Sequence, residues 1–189
     1  MKIAIVGDSH ATYLPSDANK GIPGLPAWDI ELKEMTESLI TQDYDRIYLS
    51  PGFYLVGVKK AEKAIEASKS NIFIPCQKED RSFYSKSNWR KFILNEDKSK
   101  ELYDAWAKAV KTLYNLSDNI WLLPLSMYWF EMKIKKEKII KNYSTFCAKF
   151  SRIINVEPIL KKNPFFHNNK FGRLTKEGIS LLQPILKEH

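Results

Sequence analysis

A short apolar segment near the start of the chain, residues 3–6, stops abruptly at Gly7. An unbroken run of small and β-branched apolar residues is typical of a strand buried on both faces of a sheet. Three polar side chains follow at once, Asp8, Ser9 and His10. In open parallel sheets, ligands bind beyond the carboxyl ends of the strands. The sequence therefore predicts a central first strand with a functional cluster at its carboxyl end.

Strand-like and helix-like segments alternate along the rest of the chain. The further strands are predicted at residues 46–50, 71–76, 119–124 and 156–160, and the helices at residues 29–41, 57–68, 98–116 and 133–152. A last helix is expected after the capping residue Thr175, with Pro184 kinking or breaking it. This alternation favours an α/β fold with right-handed crossovers. We expect a three-layer α/β/α sandwich with a mostly parallel five-stranded sheet, in a single domain spanning residues 1–189.

The helix at residues 98–116 has the clearest pattern. Its apolar side chains recur at helical spacing and predict a buried face formed by Leu102, Ala105, Trp106, Ala109, Val110, Leu113 and Tyr114.

Two other segments have compositions typical of elements that cover a site. Residues 13–27 are rich in proline and glycine and are predicted as a functional loop. Residues 77–97 are polar with scattered aromatic side chains and are predicted as a lid or insertion.

Composition narrows the possible partners and the compartment. The net charge is +8, from 30 lysine and arginine residues against 22 aspartate and glutamate residues. An excess of positive charge assists the approach of anionic partners. Lysine is mixed with glutamate along the chain, however, which favours solvated helix faces over a dedicated nucleic-acid surface.

We see no secretory signal and no apolar run long enough to span a membrane. Cys76 and Cys147 lie far apart and are expected as reduced thiols in a cytoplasmic protein.

The first functional motif has a family counterpart. Gly7-Asp-Ser-His-Ala11, following an N-terminal strand, resembles the first block of the SGNH (GDSL-like) hydrolases, and especially the variants reading GDSHA among bacterial carbohydrate O-acyl transfer and deacylation proteins. Residues 173–178, at the start of the last helix, are similar to the last block of that family. The segment around Gly52 is similar to the block that normally reads Gly-x-Asn-Asp. The resemblance implies a flavodoxin-like strand order and no cofactor.

The resemblance also implies a reaction and roles for individual residues. The protein is expected to be a serine esterase or acyl transferase acting on an acylated carbohydrate or similar small ester through a covalent acyl-Ser9 intermediate. Ser9 would be the nucleophile, and the backbone N–H groups of Ser9 and Gly52, or of a glycine within residues 21–24, would bind the oxyanion. His167 is the best candidate for the base. The expected substrate-binding residues are Asp8, His10, Tyr54, Asn168, Lys170 and Arg173.

Two departures from the family pattern leave other functions open. Arg173 occupies the position of the catalytic histidine, and Lys170 that of the aspartate three residues before it. One alternative is therefore a catalytically lapsed relative that binds a nucleotide, nucleic acid or sugar phosphate through Lys170, Arg173 and a basic surface. A metallophosphoesterase using Asp8 and His10 is disfavoured because the chain lacks the further ligands of a two-metal site, so no metal is expected. Ser9 also suits a purely structural role as a helix cap.

Overall fold

A four-stranded parallel sheet lies at the centre of the protein. The computed structural model describes residues 1–52, 65–66, 69–70, 72–75, 96–125, 145–156 and 174–188. The strands are β1 (Ile3–Gly7), β2 (Ala18–Gly21), β3 (Arg46–Ser50) and β4 (Ile120–Leu122), in the order β2-β1-β3-β4. Every neighbouring pair of strands is parallel. The flanking helices are α1 (Ile30–Ile40), α2 (Glu96–Tyr114) and α3 (Lys176–Glu188).

The two central strands are those that the sequence indicates most clearly. All five residues of β1 are buried, as are four of the five residues of β3. β3 coincides with the predicted strand at residues 46–50, and β4 is a shorter form of the one predicted at residues 119–124. Helix α1 packs against β1, and α2 against β4. The predicted α/β class and the central position of the first strand are confirmed.

The predicted loop at residues 13–27 contains an edge strand, β2. Ala18 lies opposite Ala4, and Gly21 opposite Gly7. Residues 8–17 return the chain to the amino end of β1, where the backbone N–H of Asp17 donates to the Ile3 carbonyl at 2.9 Å and the Ile3 N–H donates to Asp17 Oδ2 at 2.7 Å. The interpretation as a loop was wrong because Ala-Asn-Lys-Gly has low strand propensity and no alternation of apolar residues.

The strands predicted at residues 71–76 and 156–160 are described only in part, and their described residues form no strand of this sheet. Ile74 instead forms an isolated bridge with Asp29, in which the Ile30 N–H donates to the Ile74 carbonyl at 3.0 Å. Of the strand predicted at residues 156–160, only Val156 is described, and it is irregular. A bridge between Leu122 and Ile153 continues the pairing beyond β4. The described sheet therefore has four strands where five were expected.

The helix predictions are confirmed at α1 and α2. Asp29 caps α1 through a hydrogen bond of 3.0 Å from the Glu31 N–H to its Oδ1. All seven side chains of the predicted α2 stripe are buried. Helix α2 begins at Glu96, so residues 96–97 of the predicted insertion belong to it, and residues 77–95 lie outside the described chain.

Helix α3 runs through Pro184, where the sequence predicts a kink or a break. Thr175 does cap this helix, accepting a hydrogen bond of 3.2 Å from the Gly178 N–H. The helix does not break at Pro184 but continues to Glu188. Leu182 and Leu186, on either side of the proline, are fully buried, and Tyr48 Oη donates to the Leu186 carbonyl at 2.7 Å. This packing holds the helix together across the residue that cannot donate a backbone hydrogen bond.

The two remaining predicted helices are described only in part. Residues 65–66 are helical within the prediction at residues 57–68, and residues 145–147 within the prediction at residues 133–152. Residues 148–152 form turns and bends, so the second of these helices does not extend to Arg152. No helix in the described ranges is both long and apolar enough to cross a membrane.

A polar cluster stabilises the connection between α2 and β4. The Arg152 guanidinium lies 4.2 Å from the ring centre of Tyr114, and its Nε donates to Tyr114 Oη at 3.0 Å. Its Nη1 donates to the Ser117 carbonyl at 2.7 Å. We call Tyr114, Ser117 and Arg152 the Arg152 network. Arg152 Nη2 also donates to the carbonyl of Tyr114, the last residue of α2, at 3.4 Å, where the helix itself has no donor to offer.

Candidate functional site

The carboxyl ends of β1 and β3 bring two predicted groups of residues together. Gly7 and Ser50 are the last paired residues of these strands. The backbone N–H of Asp8 donates to the Ser50 carbonyl at 3.0 Å, so pairing continues one residue further. Ser9 and His10 follow from β1, and Gly52 follows from β3. The edge of the sheet thus collects them where ligands bind in parallel α/β folds.

A buried carboxylate organises this edge. Asp8 Oδ1 accepts hydrogen bonds from Ser50 Oγ at 2.9 Å and from the His10 N–H at 3.3 Å. Asp8 Oδ2 lies 2.6 Å from His10 Nδ1, which carries the hydrogen because an ionised carboxylate only accepts. Exposure is 2% for Asp8, 5% for His10 and 0% for Ser50. A carboxylate removed from water needs such donors. We call these three residues the Asp8 network.

Two glycines allow the strands and the turn to approach closely. Gly7 has a φ of 142°, and a Cβ atom at this position would lie 1.9 Å from the Ser50 carbonyl oxygen. Gly52 has a φ of 66°, and its Cβ would lie 3.3 Å from Asp8 Cβ. Positive φ angles of this kind strain any residue with a side chain. Glycine at both positions therefore lets the Asp8 network form at the junction of the two strands.

Ser9 lies on a tight turn whose other residues are anchored. The turn contains hydrogen bonds from the Ala11 N–H to the Asp8 carbonyl at 3.2 Å and from the Thr12 N–H to the Ser9 carbonyl at 3.3 Å. Asp8 and His10 are buried on either side of Ser9, whereas Ser9 is half-buried. The turn anchors its neighbours, whereas Ser9 keeps part of its surface exposed at this edge.

The backbone N–H groups around Ser9 differ in whether they already donate a hydrogen bond. Within the part of the chain that the structure describes, the N–H groups of Ser9 and Gly52 donate to no protein acceptor. The Gly21 N–H, an alternative oxyanion donor in the sequence prediction, donates to Asn19 Oδ1 at 2.9 Å. Gly21 is therefore occupied, and Ser9, Gly52 and Gly24, the other glycine of the predicted segment, remain as candidate donors.

The structure describes some of the predicted site residues and not others. Ser9, Gly52, Asp8 and His10 are described, and they lie together. The predicted base and the other predicted substrate contacts lie outside the described residues; these are His167, Tyr54, Asn168, Lys170 and Arg173. The side chains of Asp8 and His10, predicted as substrate contacts, are buried and support the turn through the Asp8 network.

Sequence reasoning did not assign a role to Ser50. Its hydroxyl completes the Asp8 network from the neighbouring strand. Its position offered a signal. Ser50 is the last residue of β3, and the neighbouring strand β1 ends just before Asp8. Among the described residues, no three His, Cys, Asp or Glu side chains form a group suited to a metal ion.

The fold and the arrangement at the carboxyl edge of the sheet define the class of this protein. It is an α/β protein with a four-stranded parallel sheet in the described residues and a serine-bearing turn at the carboxyl edge of that sheet. Comparison with protein-family models, curated proteins and solved structures finds no match to this chain.

Proposed function

We propose that the protein is a serine esterase or acyl transferase that acts on an acylated carbohydrate or a similar small ester. The observation that carries this proposal is the display of Ser9 between two buried residues, at the end of a central strand where Gly52 approaches Asp8. Nucleophilic catalysis needs a hydroxyl that is fixed in position and accessible to substrate. The Asp8 network supplies the fixed position, because it ties the turn to both central strands.

The reaction would proceed through an ester of Ser9. Ser9 Oγ attacks the carbonyl carbon of the substrate and loses its proton to a base, for which His167 is our candidate. The N–H groups of Ser9 and Gly52 stabilise the negative oxygen that develops. The sugar hydroxyl leaves after taking the proton from the base. Water, or a hydroxyl of a second molecule, then attacks the acyl-Ser9 ester and regenerates the serine.

The strand order agrees with the expected kind of fold. The strand order β2-β1-β3-β4 is that of the first four strands across a flavodoxin-like sheet. We propose that a fifth strand follows β4. In support, the Leu122 N–H donates to the Arg152 carbonyl and the Ile154 N–H donates to the Leu122 carbonyl, each at 2.9 Å. With helices on both faces, this would be the three-layer sandwich of an SGNH-like hydrolase.

Labelling with a fluorophosphonate probe, read by intact mass, tests the nucleophile. We expect one adduct on the wild-type protein and none on Ser9→Ala. His167→Ala should label about 100-fold more slowly, because a positioned base contributes at least that factor. Ser16→Ala is the matched control, since it removes a hydroxyl from the same loop that donates to the Ala18 carbonyl, and it should label normally.

A folded wild-type protein that stays unlabelled would overturn the esterase proposal. The net charge of +8 then favours the second candidate, an anion-binding protein using Lys170 and Arg173. That candidate predicts binding of a nucleotide or sugar phosphate that weakens steeply with added salt, and loss of that binding in Lys170→Ala and Arg173→Ala.

A further inference from the structure

A cavity at the amino edge of the sheet lies apart from the serine turn. Its volume is about 320 Å³, at the lower end of the range for small-molecule sites. The start of β1, the segment that enters β2 and the carboxyl-terminal part of α3 form its walls. Its described lining includes Met1, Ile3, Pro15, Asp17, Gln183 and Lys187. About 13 Å of strand separates Ile3 from Gly7, after which the serine turn begins, so the two sites lie at opposite edges of the sheet.

Two opposite charges line this cavity without neutralising each other. Asp17 and Lys187 are both exposed, and within the part of the chain that the structure describes neither of them forms an ion pair. The carboxylate and the ammonium group therefore both remain available to a ligand. A singly charged ligand would meet a like charge at one end of the cavity, and such contacts oppose binding. A zwitterionic ligand satisfies both ends.

The negative end of the cavity is fixed in position. Asp17 Oδ2 accepts a hydrogen bond of 2.7 Å from the Ile3 N–H, and the Asp17 N–H donates to the Ile3 carbonyl at 2.9 Å. A carboxylate has about four lone-pair sites, so Asp17 can still accept hydrogen bonds from an ammonium group. Because the backbone of β1 already holds this carboxylate, little freedom is lost when a ligand binds there.

The positive end of the cavity lies on α3. Gln183 and Lys187 are four residues apart and therefore lie on the same face of the helix. Gln183 is half-buried, and its side-chain amide forms no hydrogen bond to the described residues. The ammonium group of Lys187 and the amide of Gln183 together offer donors that suit the two oxygens of a carboxylate.

Apolar side chains complete the lining. Ile3 is 3% exposed, whereas Met1 is 57% exposed at the rim of the cavity. Pro15 is half-buried on the segment that enters β2. An apolar group of a ligand would remove part of the Met1 side chain from water, and methionine adapts its shape readily to such a group. The lining therefore favours a ligand that carries both charges and an apolar part.

We propose that this cavity binds a free amino acid with an apolar side chain, its ammonium group on Asp17 and its carboxylate on Lys187 and Gln183. Ser9 takes no part in this binding, so the inference does not depend on the proposed function. Ion pairs that stay open to water are weak. We therefore expect a dissociation constant of about 1 mM.

Titration with three related compounds tests the ligand class. They are leucine, 4-methylpentanoate, which lacks the amino group, and 3-methylbutylamine, which lacks the carboxylate. Binding to the full chain is followed by the ¹H–¹⁵N shifts of Ile3 and Asp17. Leucine should bind about fivefold more tightly than either analogue, because each analogue forfeits one exposed ion pair.

Two variants separate the two ends of the cavity. Asp17→Asn keeps an oxygen that accepts from the Ile3 N–H. It should weaken leucine about fivefold and not weaken 4-methylpentanoate. Lys187→Gln should weaken leucine and 4-methylpentanoate but not 3-methylbutylamine. The matched controls are Asp43→Asn, exposed before β3 at the same edge, and Lys176→Gln, exposed at the other end of α3. Neither should change any of the three affinities.

Several results would overturn the proposal. Equal affinity for leucine and 4-methylpentanoate would mean a simple anion site, and equal affinity for leucine and 3-methylbutylamine a simple cation site. Absence of a saturable shift with leucine would mean that the cavity binds no amino acid of this kind. Leucine affinity that is the same in Asp17→Asn and Lys187→Gln as in the wild type would place the binding elsewhere.

Discussion

The Asp8 network and the Arg152 network are both polar and largely removed from water, but they serve different ends. In the Arg152 network, the guanidinium donates to Tyr114 Oη and to the Ser117 carbonyl, so it links the last residue of α2 to the turn that follows. In the Asp8 network, the carboxylate binds Ser50 and His10, and Ser9 between the buried residues stays half-buried. A buried polar cluster alone therefore does not mark a site. The distinguishing feature is a reactive group that the cluster positions without covering.

The largest effect is expected from Asp8→Asn. The amide keeps the shape of the side chain but places a donor where the carboxylate accepts hydrogen bonds from Ser50 and His10. We expect the free energy of unfolding in urea to fall by about 2–4 kcal/mol, because buried groups lose their partners. Labelling of Ser9 by the fluorophosphonate should be lost as well.

Asp104→Asn serves as the control for this change. Asp104 pairs with Lys100 on the exposed face of α2, and such surface pairs contribute little. Neither stability nor labelling should change in this variant. An Asp8→Asn protein as stable as the wild type would contradict the importance assigned to the Asp8 network.

Arg152→Met should separate stability from reactivity. Methionine retains an apolar stem over Tyr114 but removes the guanidinium donors to Tyr114 Oη and the Ser117 carbonyl, leaving only the backbone N–H of residue 152 on Tyr114 Oη. The expected loss is about 1–2 kcal/mol in the same urea measurement, while Ser9 labels at the wild-type rate. Lys149→Met, at an exposed position nearby in sequence, should leave both properties unchanged. Loss of labelling in Arg152→Met would show that the two networks are coupled.

The smallest effect is a pH dependence at Tyr114. Burial raises the pKa of this phenol, but hydrogen bonds with Ser151 and Arg152 and the positive charge of Arg152 outweigh burial and bring the pKa below its ordinary value. A lowered pKa in the folded state adds stability as pH rises through the folded value towards the unfolded one. The stability difference between wild type and Tyr114→Phe should therefore shift in favour of the wild type as pH rises towards about 10.

Urea unfolding at several alkaline pH values measures this shift. The trend should weaken when Tyr114→Phe is compared in the Arg152→Met background, where the guanidinium donor and its positive charge are missing but the Ser151 hydroxyl and the backbone N–H of residue 152 remain. A shift in favour of Tyr114→Phe with rising pH would mean that burial, not hydrogen bonding, controls the phenol.

Much of the fold could be predicted because local pattern and tertiary packing agree. The α2 stripe is one example, since its helical spacing sets one face and all its members are buried. Asp29 is another, because a capping side chain acts on the N–H groups of its own first turn. Such interactions are contained within a few residues and therefore appear in the sequence.

Other elements depend on partners that are remote in sequence. Residues 18–21 become a strand because β1 offers its edge, and their own composition gives no sign of it. Ile74 has strand-like neighbours but pairs with Asp29 outside the sheet. Pro184 is accommodated because buried leucines hold α3 on both sides of it. Pattern indicates what a segment favours, and the rest of the fold decides what it pairs with.

The candidate site likewise has a part that the sequence predicts and a part that depends on the rest of the fold. Its location followed from Gly7 and the polar residues at the end of a predicted strand. The bond between Ser50 Oγ and Asp8 Oδ1 could not be predicted, because it depends on the register of two strands and on the turn after Gly7. The positions of the two buried side chains beside Ser9 likewise depend on that turn.

The spacing of the strands along the chain also bears on how the protein is made. Residues 8–17 connect β1 to β2, whereas residues 51–119 separate β3 from β4. Longer loops cost more entropy to close, and contacts close in sequence form sooner. The first 52 residues contain β1, β2, β3 and the whole Asp8 network. On the ribosome, the serine turn and the strands that support it are therefore synthesised in full before the strand that completes the described sheet leaves the tunnel.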